Sequence, residues 1–141
     1  MKRAVSVVAA IVGAALVVNG EPATEDASVK TAEAAASAWL ALVDAGNYAA
    51  SWREASSLFK KQVNEEQWKS AVASARQPFG ALVSRRLKSA KFLTSLPGAP
   101  DGEYVVLDYD TSFEKKKEAF ERVTPMKDTD GVWRVSGYYV R

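Results

Sequence analysis

Leu107-Asp108-Tyr109-Asp110-Thr111-Ser112-Phe113, Ala119-Phe120-Glu121-Arg122-Val123-Thr124-Pro125 and Trp133-Arg134-Val135-Ser136-Gly137-Tyr138-Tyr139 largely alternate between two kinds of side chain. A period of two is the mark of strands with one buried face. Three-residue loops at the last two hairpins put Phe113, Tyr109 and Leu107 opposite Ala119, Val123 and Pro125. The same loops place that row beside Tyr139, Gly137, Val135 and Trp133. One side then gathers the apolar residues. The other gathers Asp108, Asp110, Arg122, Thr124, Arg134 and Ser136, with Met126 and Tyr138 as exceptions. A slip of one residue at either loop scrambles this division.

Working outward, four strands are expected at about 82–94, 103–113, 119–127 and 132–140. They are joined by Pro97 to Gly102, Glu114 to Glu118 and Asp128 to Gly131. The register of the first strand stays open, because its loop is long and holds two prolines. Upstream of Gly80 the period is helical. Ala32, Ala36, Trp39 and Val43 form one stripe that stops at Gly46, and a short helix follows from Asn47. A third runs from Asn64 with Trp68, Val72, Ala75 and Phe79 on one side, ending at Pro78 and Gly80. Three N-terminal helices followed by a four-stranded antiparallel meander make an α+β domain; parallel strands would have required helices between them.

At the start of the chain, Met1-Lys2-Arg3 precedes an apolar run from Ala4 to Val18 and then Asn19-Gly20. This is the layout of a secretory signal peptide, and the run is short of the roughly 20 apolar residues that span a bilayer. The expected organisation is a signal peptide over 1–20, a flexible acidic leader over 21–28 and a single domain over 29–141. The expected location is periplasmic or secreted, with no stable membrane association after cleavage. Loss of Lys2 and Arg3 leaves 17 cations against 17 anions, so the mature domain is formally neutral. It then lacks the broad positive field that nucleic-acid binding relies on.

Histidine and cysteine are both absent. Triads built on histidine, thiolate chemistry, disulfides and ordinary zinc sites are thereby excluded. No metal or cofactor is expected, and Asp128-Thr129-Asp130-Gly131 reads as a hairpin turn rather than a calcium loop. Lys115-Lys116-Lys117 reads as a solvated turn. Trp39, Trp52, Trp68 and Trp133 sit at core positions, and Asp108 and Asp110 at cross-strand ion-pair positions facing Arg122.

Across the mature chain, Trp39 to Tyr48, Ser51-Trp52, Arg76-Gln77-Pro78-Phe79-Gly80 with Ser84-Arg85, Leu96 to Tyr104, Thr111-Ser112-Phe113 and Asp130 to Tyr139 together resemble domain-of-unknown-function family 4019. The resemblance implies exported bacterial proteins of no assigned activity. It also implies the cone-shaped helix-and-curved-sheet fold of the nuclear transport factor 2-like superfamily. That superfamily contains isomerases, dehydratases, ligand carriers and interaction modules, so the fold alone assigns no activity. Its members often pair through the outer sheet face, which makes a homodimer of that kind an expectation here.

Glu121 is the only carboxylate on the expected apolar face, between Thr111 and Tyr139. A buried carboxylate must be met by hydroxyls or by an arginine, and Arg76 and Arg85 are the nearest in sequence. If an arginine pairs with it, Glu121 is structural. If only Thr111 and Tyr139 meet it in a cavity, Glu121 and Tyr139 become candidates for acid–base catalysis. Ligand contacts would then involve Arg76, Arg85, Glu121, Tyr109 and Tyr139. Two classes follow: a noncatalytic module binding a small ligand or partner protein, or a small acid–base enzyme of the isomerase or dehydratase type.

Overall fold

A computed structural model describes residues 24–141; the expected signal peptide and the first three residues of the expected leader lie outside the described residues. The rest of that leader is not a loop. The first helix, α1, spans Glu25–Asp44, so it begins four residues before Val29. The Thr24 hydroxyl accepts the Ala27 N–H at 3.1 Å, and Glu25 and Asp26 occupy the first turn. Acidic residues just behind a threonine cap complement the positive end of the helix dipole. What reads as an unstructured acidic stretch is a helix start. At the other end, Gly46 at φ 78° lets the Gly46 and Asn47 N–H groups return to the carbonyls of Val43 and Leu42.

Four α-helices occur among the described residues, one more than expected. The additional one, α3 (Ser57–Gln62), stands between α2 (Tyr48–Arg53) and α4 (Glu65–Arg76). Its start is fixed locally by Ser56, whose hydroxyl accepts the Phe59 N–H. It is also fixed from far along the chain, by the Asp128 carboxylate taking the Ser57 N–H at 3.0 Å. The start of α4 is a capping box, with Asn64 and Gln67 bonded reciprocally. A short 3-10 turn, Gln77–Phe79, and Gly80 at φ 76° lead into the sheet.

The sheet is antiparallel, with strands β1 (Leu82–Leu93), β2 (Tyr104–Phe113), β3 (Lys116–Lys127) and β4 (Trp133–Val140) side by side in chain order. The β2–β3 turn is only Glu114-Lys115, so Lys116 and Lys117 open a strand instead of sitting in a solvated turn. Leu107 therefore faces Val123 and Thr111 faces Ala119, two residues away from the expected register. A shift of two preserves the faces. Leu107, Tyr109, Phe113, Val123 and Val135 are buried as expected.

The β3–β4 register holds at Pro125 opposite Val135 and then changes, with Thr124 facing Gly137. Proline has no N–H for the ladder and glycine no side chain to pack, and an extra residue enters there as a bulge. Ser136 answers it by donating to the Thr124 carbonyl at 2.8 Å. Beyond the bulge the faces exchange. Tyr138 turns inward and Tyr139 outward, where it is 52% exposed, the reverse of the expected arrangement.

Helix α1 crosses the inner face and touches all four strands. Its Ala32, Ala36, Trp39, Leu40 and Val43 join Leu107, Val123, Trp133 and Val135 in one core. Each large side chain buried there contributes roughly 1.5–3 kcal/mol. Three tryptophans, Trp39, Trp68 and Trp133, are buried as expected, and Trp52 is partly buried against them.

Candidate functional site

Glu121 projects from the middle of β3 into the interior and is 0% exposed. Four elements deliver partners to it. Arg85 on β1 donates from Nε to Oε1 at 2.7 Å and from Nη2 to Oε2 at 3.2 Å. Thr111 on β2 donates to Oε1 at 2.7 Å, and the Tyr138 hydroxyl on β4 donates to Oε2. Arg76, at the end of α4, brings Nη1 to 4.0 Å from Oε2. Asp44, the last residue of α1, closes the group. It accepts from Arg85 Nη1 at 2.8 Å and from Arg76 Nη2 at 2.9 Å.

Two guanidinium groups thus face two carboxylates in a nearly closed cluster, and their formal charges cancel. Arg85 is held by a forked contact on each side, the geometry for which arginine is suited. Its pKa is raised: burial opposes the charge, but the hydrogen bonds and charges of Asp44 and Glu121 outweigh burial. Burial likewise works against the Asp44 carboxylate, yet Arg85 and Arg76 hold it below the usual range. Tyr138 is pushed well up, by burial first and then by the Glu121 charge, so it stays a donor. Arg76 also lies over the Phe113 ring at 4.6 Å.

The structure brings together three of the expected site residues, Arg76, Arg85 and Glu121, with Asp44 and the expected neighbour Thr111 around them, and adds Tyr138. Tyr109 lies beside them, directly across the ladder from Glu121. Burial, then the Glu33 charge, raise its pKa to about 12. Its hydroxyl and Arg76 Nε are buried with no hydrogen-bond partner among the described residues. Tyr139 is not part of the group; it pairs with Arg122 and packs edge-on against Phe120 on the outer face. The expected meeting of Glu121 with Tyr139 is therefore corrected to a meeting with Tyr138. The signal available beforehand was a tyrosine stranded on an otherwise polar face, beside Gly137.

The aspartates of the strands and of the last hairpin are engaged elsewhere. Asp108 takes Arg122 at 2.7 and 2.9 Å, and Asp110 takes Arg86 at 3.0 Å, both as cross-strand ion pairs. Asp128 and Asp130 close the last hairpin with Arg134, and Gly131 supplies φ 84° there. Among the described residues no three acidic side chains converge as a cation would require.

Among the concavities of the described residues, one lies apart from the cluster and another touches it. A cleft of about 510 Å³ between α1, α2 and β4 is lined by Trp39, Leu42, Val132 and Trp133, with Glu54 and Arg134 as polar members. A groove of about 840 Å³ lies at the β2–β3 hairpin end of the sheet and is lined by residues of both faces, Arg85 and Thr111 of the cluster among them.

A family model described as "Protein of unknown function (DUF4019)" matches residues 35–138. No curated protein and no solved structure gives a match.

Proposed function

This chain belongs to the DUF4019 family of proteins of unknown function, and on that footing we propose that it is an exported, noncatalytic module binding a small ligand or a partner protein at its outer surface. One observation carries the reading. Both oxygens of Glu121 are taken by Arg85, Thr111 and Tyr138, and Arg85 is in turn taken by Asp44. A general base needs a lone pair aimed at a substrate, and an anion-binding arginine needs a free fork. This cluster spends both on itself. Helices followed by a four-stranded meander support placing the fold with the nuclear transport factor 2-like designs. The cleft beside Trp133 has a volume within the range of small-ligand sites.

The cluster is tested by Glu121→Gln. The neutral amide keeps the shape but strands a guanidinium, so a lowered melting temperature is expected, corresponding to about 1–3 kcal/mol. A variant at least as stable as wild type would instead mark Glu121 as a strained functional carboxylate and overturn the reading. Export is tested by the intact mass of periplasmic material, which is expected to begin near Glu21. Full-length chain confined to the membrane fraction would refute it.

A further inference from the structure

The groove at this end of the sheet is built by the strand ends around the β2–β3 hairpin. Lys116, Lys117 and Phe120 of β3 face Arg86 and Lys88 of β1 across it, with Arg141 beyond. Six cations line it, one of them Arg85 of the interior cluster, against two carboxylates, Asp110 and Glu118. In a domain that is neutral once residues 1–20 are removed, such an excess is a local concentration of charge and not a reflection of a basic chain.

The six cations are not equivalent, and Arg85 is held by Asp44 and Glu121. Arg86 is committed to Asp110 at 3.0 Å, and Arg141 lies over the Phe120 ring at 4.7 Å. Lys88, Lys116 and Lys117 form no salt bridge with any other described residue. Three of the four cations there without a carboxylate partner are therefore ammonium groups on flexible stems. The one guanidinium among them, that of Arg141, is laid against the Phe120 ring. Arginine forks, the groups whose geometry matches a phosphate, are the minority. That favours carboxylates over phosphodiesters. The second guanidinium near Phe120, from Arg122 at 5.7 Å, leaves little of the ring for a sugar to stack on. A concave groove also fits a chain better than a flat bilayer surface. Ser84 and Ser112 add hydroxyl groups to its floor.

We propose that this groove binds an acidic segment of a partner protein, its carboxylates held by Lys88, Lys116 and Lys117. The proposal rests on the reading of the protein as a binding module. It fails separately, because none of these three lysines touches the interior cluster and the melting of Glu121→Gln is indifferent to them.

The test is fluorescence anisotropy of the mature protein with a labelled oligoglutamate peptide, beside a single-stranded DNA of equal charge and phosphatidylglycerol vesicles. The peptide is expected to bind at low salt and to weaken as salt screens the contacts. Lys116→Glu/Lys117→Glu is expected to weaken it about tenfold or more, while Lys30→Glu/Lys61→Glu, on exposed helical positions away from the groove, changes it less than about twofold. Lys88→Glu alone, on the opposite wall, is expected to weaken it severalfold. Tighter binding to the DNA or the vesicles, equal losses from both lysine pairs, or no binding of the peptide at low salt would each overturn the proposal.

Discussion

Replacing Arg85 by methionine is expected to destabilise the domain by about 3–5 kcal/mol, a large share of the total for a domain of this size. Among the described residues, the side chain it removes is the only group bonded within 3.2 Å to both Glu121 and Asp44. Without it, Glu121 keeps two hydroxyls and a distant Arg76, in a site fully shielded from water. Methionine fills the volume, so the loss reports the stranded charges and not a cavity. Urea or thermal unfolding near neutral pH measures it. An acid titration then identifies the cause. Asp44 is depressed in the folded protein, so its stabilising contribution is fully present above its unfolded value near 3.8 and fades as the pH falls through the lower folded value. The variant has lost the main partner that produces this depression. The gap between wild type and Arg85→Met is therefore expected to narrow below about pH 4. A variant as stable as wild type, or a gap that stays constant into acid, would show that the cluster does not hold the domain together.

The parity of the sheet was legible because it depends only on alternation. Leu107, Tyr109, Thr111, Glu121, Val123 and Val135 all fall on the expected side, although the β2–β3 pairing differs by two residues. The same logic pointed to Arg85 and Thr111 as partners of Glu121, since a carboxylate on an apolar face must be met by hydroxyls or by an arginine, but it named Tyr139 where the structure has Tyr138. Two features depended on information the local sequence lacks. The bulge opposite Pro125 exchanges Tyr138 with Tyr139, and a bulge is invisible to a pattern that assumes unbroken alternation. Helix α3 is six residues long, too short to show a period. Part of its N-terminal capping comes from Asp128, seventy-one residues away. The lysines of the β2–β3 hairpin were misplaced for a related reason: a two-residue turn leaves Lys116 and Lys117 in the strand, where they share a groove with Arg86 and Lys88.

Trp39→Ala is expected to cost about 3–5 kcal/mol, as for other large aromatics removed from a packed interior. The indole is 3% exposed and stands where α1, α2, α4 and the sheet meet. Its ring lies 5.8 Å from Trp68 and 5.4 Å from Tyr138, so truncation removes two aromatic contacts together with its buried area. Its Nε1 donates to the Ser51 carbonyl at 2.8 Å, while the Ser51 hydroxyl accepts from Trp68. Alanine leaves that carbonyl without its donor in a dry site. Trp39→Phe separates the parts. It keeps a ring but not the donor, and is expected to retain a substantial part of the stability while still melting below wild type. The alternative is that Trp39 serves chiefly as a wall of the cleft it shares with Leu42, Val132 and Trp133. That role predicts the opposite pattern. Trp39→Ala would then melt with the wild type and lose only the binding of an apolar ligand, and such a result would move this tryptophan from the core of the protein to its recognition surface.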